Sequence, residues 1–312
     1  MKFRVLFLKK KYLYYTCLLL IIIVLLAVLI GTRKSINTFN TALNNKSILS
    51  DLNGDGKEDT IYINTEKNKY NVLVNTNAES IPLRTNQKIN TLGDYSSYWP
   101  LKITLMDLNR NKQPEILLQS SVNSTPIQHL FIWSNNSFKD IYCSSNNILG
   151  FIDCKNNRTP KLISANLSKG IFTQNNYVLI NEELNSFTLN LKDNFLGKDS
   201  ILAFVNYIES LPQSEANKPT AIFYPGITGK ELSPIGKISA ESSKFVFQDG
   251  LFMDTSWNKD GDAIEASWTL NFRGISATNS DAKHYSIKVS LKTTGNPSDN
   301  NYFKISNLLL EK

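Results

Sequence analysis

The hydrophobic pattern of the chain begins with one long apolar stretch near the N-terminus. No charged residue lies between Lys11 and Arg33, and a helix over this stretch is long enough to cross a bilayer, which takes about 20 apolar residues. More lysines and arginines precede the stretch than follow it, so the positive-inside rule places the N-terminus in the cytoplasm. The sequence therefore predicts a cytoplasmic tail at 1–11, a transmembrane helix at 12–32 and a linker at 33–47.

A cleaved signal peptide is the alternative interpretation of the same stretch. The apolar part exceeds the usual signal-peptide core of about 7–15 residues, and no small-x-small cleavage site follows in LIGTRKS. We therefore predict an uncleaved signal-anchor. On this hypothesis the protein crosses the cell membrane once, and the bulk of the chain is extracellular.

From residue 48 onwards, short apolar segments alternate with polar turns, as is typical of β-strands. One pattern occurs three times: an apolar strand, an Asp, a loop with Asp or Asn at alternate positions, and a second strand. The stretches are ILSDLNGDGKEDTIYIN, ITLMDLNRNKQPEILLQS and ILGFIDCKNNRTPKLISA. Their leading residues Asp51, Asp107 and Asp153 recur at about 50 residues, a period typical of propeller blades. The pattern predicts propeller-like β-repeats over 48–194. Three blades do not close a propeller, which usually takes at least about four, so the repeats form either an open fragment capped by the second region or a propeller with further, diverged blades.

The remaining region, 195–312, combines one predicted helix with long alternating strands. KDSILAFVNYIESLP places its apolar residues on one helical stripe, and PTAIFYPGITGKELSPIG, rich in Pro and Gly, predicts an irregular connection. AIEASWTLNFR and HYSIKVSLK alternate strictly between apolar and polar residues, which predicts an antiparallel meander with one buried face. This order faintly resembles the cone-shaped nuclear-transport-factor-like fold. The predicted fold class is therefore mainly β: a transmembrane helix, propeller-like β-repeats, and a smaller α+β domain with an antiparallel sheet.

The charge of the chain is concentrated at its N-terminus. The formal net charge is +7, and residues 1–34 contain seven Lys and Arg with no Asp or Glu, so the rest of the chain is neutral. The basic character therefore does not indicate a nucleic-acid surface. We predict no nucleic-acid partner.

The first polar loop has the composition of a calcium site. Calcium takes six to eight oxygen ligands, and alternate positions of a tight loop can turn their oxygens towards one centre. The oxygens offered here belong to Asp51, Asn53, Asp55, the backbone carbonyl of Lys57, and Asp59. The loop is not an EF-hand, because its twelfth position is Tyr62 rather than Glu.

The run Asp-x-Asn-Gly-Asp-Gly-x-x-Asp at 51–59, followed by TIYI, resembles the loop of the FG-GAP and VCBS repeat family. Members of that family are calcium-binding β-propeller blades of integrin heads and many bacterial surface proteins. The resemblance covers 48–194 and implies blade-like sheets of four strands. With the first loop, it predicts one calcium site.

The second and third loops depart from this pattern. The second offers a weaker set with two carboxylates: Asp107, Asn109, Asn111, the carbonyl of Gln113, and Glu115. The third places two lysines at ligand positions, among Asp153, Lys155, Asn157, the carbonyl of Thr159, and Lys161. Lysine repels a cation, so no site is predicted there. Polar turns without metal remain the alternative for these loops, because Asp and Asn bond their own backbone in turns.

Two cysteines, Cys143 and Cys154, lie beyond the N-terminal stretch. They are predicted at the ends of two strands joined by a turn, where either a disulfide or two buried free thiols would fit. The chain has two histidines, His129 and His284. Neither is near an obvious nucleophile, so a catalytic Cys–His pair has no support.

No hydrolase, metalloprotease, Walker or dinucleotide motif occurs in the sequence. The leading hypothesis is a membrane-anchored, extracellular, non-enzymatic binding or scaffold protein with a calcium-stabilised repeat region. Its loops would face a protein or a cell-wall glycan, and no catalytic residue is assigned. The alternative is an anchored envelope hydrolase that uses carboxylates of the C-terminal region: Asp254, Asp260, Asp262 and Glu265. Asp260 with Gly261 also fits a tight hairpin turn.

Overall fold

A computed structural model describes residues 39–43, 48–154, 160–188, 195–211, 217–241, 243–276 and 281–311, with six helical positions between 11 and 20. Residues from Phe39 to Lys312 form one compact unit, and Met1–Thr38 form another. The first strand, β1 (Phe39–Leu43), lies inside the segment 33–47 that the sequence predicts as a linker.

The structure corrects the predicted membrane anchor. In the part of the chain that is described, no helix is both long and apolar enough to cross a membrane. A spanning helix needs about 20 continuous apolar residues, and no described helix has them. By this finding, the prediction of a transmembrane helix at 12–32 is wrong. The predictions of a membrane localisation and an extracellular placement, which depend on that helix, are wrong with it. Most of 12–32, and the tail at 1–11 apart from Lys11, lie outside the described residues.

From residue 48, the described part of the chain forms three successive antiparallel meanders of four strands each. The first contains β2 (Ile48–Ser50), β3 (Asp59–Glu66), β4 (Lys69–Asn75) and β5 (Ser80–Pro82). The second contains β6 (Lys102–Met106), β7 (Glu115–Val122), β8 (Thr125–Ser134) and β9 (Ser137–Ser144), with β1 added beside β6. The third contains β10 (Ile148–Ile152), β11 (Lys161–Ser168), β12 (Ile171–Ile180) and β13 (Glu183–Ser186). Each polar loop joins the first two strands of its meander.

In its described residues, the C-terminal region contains two α-helices and four long strands. The helices are α1 (Lys198–Glu209) and α2 (Gly229–Ala240), and short 3-10 turns lie at Phe195–Gly197 and Thr220–Ile222. The strands are β14 (Ser243–Trp257), β15 (Ala263–Ser276), β16 (Ala282–Thr293) and β17 (Phe303–Glu311). The sequence predicts α1 and the meander but misses α2. That helix begins with a capping box between Thr228 and Glu231 and contains Pro234.

The third meander and the C-terminal strands form one sheet of eight strands. Its order is β13-β12-β11-β10-β14-β15-β16-β17, and β10 pairs in parallel with β14. Gly150 of β10 lies opposite Phe252 of β14. A Cβ atom on Gly150 would stand 2.0 Å from the Phe252 ring, so the close approach requires glycine here. The sheet therefore runs across the boundary at 194/195 that the sequence predicts.

Neighbouring layers share hydrophobic cores, and the middle sheet is buried on both faces. On β6 and β7, Leu105 and Ile116 pack against the first meander, whereas Met106 and Leu117 pack against the third. The other face of the eight-stranded sheet carries the largest core, which includes Phe204 of α1. The helices thus cover the face on which a further blade would pack.

These layers do not form a propeller. A closed propeller takes at least about four blades, and the described chain has three meanders whose sheets stay open. The third meander instead continues into the C-terminal sheet through β14. The prediction of a mainly β fold is confirmed, and the prediction of propeller-like repeats is wrong, because the described sheets stay open and form no propeller.

Candidate functional site

The first polar loop is a tight turn whose backbone folds around Asp51. The Asp51 carboxylate accepts the backbone N–H of Gly54 at 2.7 Å and that of Gly56 at 2.9 Å. Both glycines have positive φ, +79° and +83°, a conformation that other residues rarely adopt. The loop therefore curves because Asp51 and the two glycines act together.

The next two predicted ligands have the same kind of local contact. The side-chain oxygen of Asn53 accepts the N–H of Asp55 at 2.9 Å, and Asp55 accepts the N–H of Lys57 at 2.8 Å. This last bond lowers the pKa of Asp55. These bonds are the ones that stabilise a polar turn, so Asp51, Asn53 and Asp55 alone do not require a metal.

Asp59 differs from the other residues of this loop. Its side chain is fully buried, and Oδ2 accepts the N–H of Leu52 at 2.8 Å and that of Asn53 at 3.2 Å. Among the described residues, Oδ1 has no hydrogen-bond partner. Burial raises the pKa of Asp59, and the charges of Asp55 and Asp51 add to the effect. A buried carboxylate oxygen without a partner is costly, and a cation at this point would supply one.

The five predicted ligand residues thus lie in one loop, where Asp59 offers a buried oxygen that has no partner among the described residues. Their carboxylates are not gathered around one point, however. In the described part of the chain, no group of three or more His, Cys, Asp or Glu side chains is placed to hold a metal. Each oxygen of Asp51 accepts one backbone N–H group and keeps a second lone pair that a cation could use.

The second loop repeats the same plan. Asp107 accepts the N–H of Asn111 at 3.1 Å and that of Lys112 at 3.0 Å. Glu115, at the position of Asp59, accepts the N–H of Leu108 at 2.7 Å. Burial raises the pKa of Glu115 to about 8, so its carboxyl is largely protonated at neutral pH. A hollow of about 90 Å³ is lined by four of the five residues predicted here, namely Asn109, Asn111, Gln113 and Glu115.

The third loop obtains its carboxylate from another part of the chain. Lys161 stands where the other loops have Asp59 and Glu115, and the corresponding acceptor is Asp254 of β14. Its carboxylate accepts the N–H of Asp153 at 3.0 Å and that of Cys154 at 2.7 Å. Burial raises the pKa of Asp254. Of the other predicted positions, Lys155, Asn157 and Thr159 lie outside the described residues.

Side chains of the second loop contact the first loop on one side and the third loop on the other, so the three loops form a row. Gln113 of the second loop donates from Nε2 to the backbone carbonyl of Asn53 in the first, at 2.8 Å. Arg110 of the second loop forms an ion pair with Asp153 of the third. A Cβ atom on Gly54 would lie 1.9 Å from Gln113 Nε2, so the contact between the first two loops also requires glycine at that position.

The four carboxylates of the hydrolase hypothesis have separate surroundings. Asp254 serves the third loop and accepts the indole N–H of Trp257 at 2.8 Å. Asp260 and Asp262 lie in the turn between β14 and β15, as the hairpin interpretation expects. Glu265 forms an exposed ion pair with Lys292 at 3.0 Å. The four residues thus follow one hairpin, and the structure favours no catalytic pair among them.

The two cysteines are free thiols, Cys143 partly exposed and Cys154 buried. Burial raises the pKa of the Cys154 thiol to about 11.

His129 is buried, with Nδ1 3.0 Å from a carboxylate oxygen of Asp140 and Nε2 3.0 Å from the carbonyl of Thr91. Both ring nitrogens are therefore used in structural contacts.

A buried polar network that the sequence pattern does not reveal joins the second meander to β14. Lys102 donates to the two carboxylate oxygens of Asp249 at 2.8 Å and 2.6 Å. Asn271 donates to the same carboxylate at 2.7 Å, and Trp99 at 2.5 Å. Burial lowers the pKa of nearby His284 to about 4, with a contribution from the charge of Lys102. In sequence these residues lie far apart, so no local motif marks them.

No family model matches the chain, and no curated protein matches it.

Proposed function

We propose that this chain is a non-enzymatic binding or scaffold protein whose β-repeat region is stabilised by one calcium ion in the loop at 51–59. One observation carries the proposal: Asp59 Oδ1 is buried and has no partner among the described residues. The resemblance of the loop to FG-GAP and VCBS repeats supports it.

The electrostatics of the loop favour a cation. Three of the four carboxylates at 51–59 are predicted ligands, Asp51, Asp55 and Asp59, and the charges of the first two raise the pKa of the third. A divalent cation would replace this repulsion with attraction and lower that pKa. Three carboxylates are few for a calcium loop, which suits an affinity of about 10⁻⁴–10⁻³ M.

Calcium would act on the contact between the first two meanders. The first loop receives the Gln113 side chain at the Asn53 carbonyl, next to the proposed ligands. An ordered first loop would keep that acceptor in place, and the row of loops would form a rigid edge. We propose that this edge presents a binding surface to a protein or glycan partner.

The second loop is proposed as a weaker site or none. It has two carboxyl groups, and because burial raises the pKa of Glu115 to about 8, Glu115 adds little negative charge at neutral pH. The Asp107 carboxylate already accepts hydrogen bonds from the backbone N–H groups of Asn111 and Lys112.

The test is a calorimetric calcium titration of the full chain and of Asp55→Ala, with Asp260→Ala as a matched control in an exposed turn. We expect one site in the wild type, none in Asp55→Ala, and an unchanged site in Asp260→Ala. The melting temperature should fall in chelator for the wild type and the control only. Stoichiometric calcium in a chain that lacks both Asp51 and Asp55 would sink the proposal, as would the absence of any heat in the wild type.

A further inference from the structure

A cavity of about 400 Å³ lies between α1, the first half of β14 and the segment around Trp99. Its size falls in the range of small-molecule sites, about 300–1,000 Å³. The residues used below line it: Tyr98, Trp99, Asn206, Phe247, Gln248 and Arg273. None of the motifs in the sequence indicates it, because its walls come from distant parts of the chain.

Gln248 lines the cavity because β14 bulges at this residue. Phe247 pairs with Phe272 and Asp249 with Asn271, so Gln248 is the extra residue without a partner in β15. The bulge also shifts the side-chain alternation, which lets Phe247 and Phe252 contribute to the same core although they are five positions apart. Bulges often occur next to functional sites, where they redirect a side chain.

The Gln248 amide has no partner in the described part of the chain. The residue is only 3% exposed, and neither Oε1 nor Nε2 makes a hydrogen bond with a described residue. The Nε–H of Arg273, on the neighbouring strand, is also without a partner among the described residues. The Arg273 guanidinium lies over the ring of Tyr98, 4.3 Å from its centroid. Gln248 and Arg273, which both line the cavity, therefore carry two donor nitrogens and one acceptor oxygen that have no partner among the described residues.

We propose that this cavity binds a hydroxyl-rich ligand of the sugar class, held by Gln248 and Arg273. A hydroxyl group both donates and accepts, so neighbouring hydroxyls can satisfy the Gln248 amide oxygen and nitrogen together. A carboxylate could use only the donors and would face the Gln248 oxygen, and an ammonium could use only that oxygen.

The other walls of the cavity suit the same ligand class. Tyr98 and Phe247 provide apolar surface for the C–H face of a sugar ring, and the exposed Asn206 amide lies at the rim. The charges of Lys169 and Glu209, which also line the cavity, are of opposite sign. The Glu209 carboxylate already accepts the N–H of Phe247 at 2.8 Å. With the Arg273 guanidinium, the charged groups of the lining sum to +1, so small anions are the competing ligand class.

This inference rests on the proposal that the chain is a binding protein, but it does not depend on the calcium loop. The test uses the full chain with the methyl glycosides of glucose, galactose, mannose and N-acetylglucosamine, followed by ligand-observed NMR and calorimetry. Acetate and inorganic phosphate serve as anion probes. The same samples are titrated with calcium, so that a failed calcium site and a failed sugar site are told apart.

Gln248→Met keeps the length of the side chain and removes both polar atoms. We expect it to weaken sugar binding by about tenfold or more, the value of two ordinary hydrogen bonds. We also expect an equal or higher melting temperature, because a buried amide without partners is removed. Gln174→Met, in β12 outside the cavity, is the matched control and should bind normally. Arg273→Lys, which keeps the charge without the Nε–H, should also weaken binding.

Binding of at least one glycoside that is lost in Gln248→Met and kept in Gln174→Met supports the site. Equal binding by the wild type and Gln248→Met overturns it, and so does the absence of binding by all four glycosides. Binding of acetate or phosphate alone overturns the sugar assignment. If Gln248→Met does not fold, equal sugar binding by the wild type and Arg273→Lys overturns the site instead. Release of methanol from a bound glycoside would support the site and overturn the non-enzymatic function.

Discussion

The Asp254 carboxylate accepts the backbone N–H of Cys154 at 2.7 Å, across 100 positions of the chain. In the first two loops the corresponding bond is local, from Leu52 to Asp59 and from Leu108 to Glu115. The third loop has Lys161 at the corresponding position, and Asp254 of β14 supplies the carboxylate. The bond therefore joins the repeat region to the C-terminal sheet at the point where β10 and β14 run side by side.

We expect Asp254→Ala to destabilise the protein by about 2–4 kcal/mol, because buried N–H groups of Asp153 and Cys154 lose a charged acceptor. The measurement is denaturant unfolding at neutral pH. Glu265→Ala, which removes one partner of an exposed ion pair, is the control and should cost less than about 1 kcal/mol. A loss of similar size in both variants would show that Asp254 has no special role in the third loop.

Lys102→Met should destabilise the protein strongly, by about 3–5 kcal/mol, since it leaves the buried Asp249 carboxylate without its cation. Lys292→Met is the matched control, because its ion pair with Glu265 is exposed, at 51% and 39%. Its cost should stay below about 1 kcal/mol. Equal costs in the same unfolding experiment would contradict the assignment of the Lys102–Asp249 pair as a structural link.

Substitutions at Gly54 and Gly56 separate the effect of positive φ from the effect of the contact with the Gln113 side chain. Both have positive φ, but only Gly54 faces another side chain, since a Cβ atom added to it would lie 1.9 Å from Gln113 Nε2. Gly56→Ala should therefore cost about 1–2 kcal/mol from backbone conformation alone, and Gly54→Ala should cost more. Adding Gln113→Ala should recover part of the loss in Gly54→Ala and none in Gly56→Ala. An additive double-mutant cycle at Gly54 and Gln113 would contradict this contact.

The raised pKa of Glu115 predicts that the stability of the protein depends on pH. Burial raises its pKa from 4.5 to about 8 in the folded protein, so the folded state holds a proton that the unfolded state loses as the pH rises above about 4.5. Its contribution to stability therefore falls as the pH rises from about 4.5 to about 8 and is constant above that range.

The test of this pH dependence compares the wild type with Glu115→Gln in chelator, by unfolding at a series of pH values. Asp59 and Asp254 also have raised pKa values, so only the difference between the two proteins reports on Glu115. We expect the wild type to lose stability relative to Glu115→Gln across this pH range. A constant difference would show that the Glu115 carboxyl has an ordinary pKa.

Local patterns predict those elements whose contacts are local. The three polar loops lie between strands as their composition indicates, and α1 follows its apolar stripe. The missed helix α2 carries its own signal, the capping box of Thr228 and Glu231, but Pro234 and the surrounding glycines favour an irregular segment. Alternation also predicts the C-terminal meander. It does not predict the bulge at Gln248, because a bulge depends on the register with β15.

By itself, the sequence determined the mainly β class, the three loop-bearing meanders and the candidate ligands of the first loop, because alternation and turn composition act over a few residues. Only the tertiary structure decided that the meanders stay open, that β14 joins β10, and that Asp254 and Asp249 serve partners more than 100 positions away. The physical reason is that buried N–H groups and charges must find partners wherever the folded chain brings one. The spacing of residues along the sequence does not predict those long-range pairings.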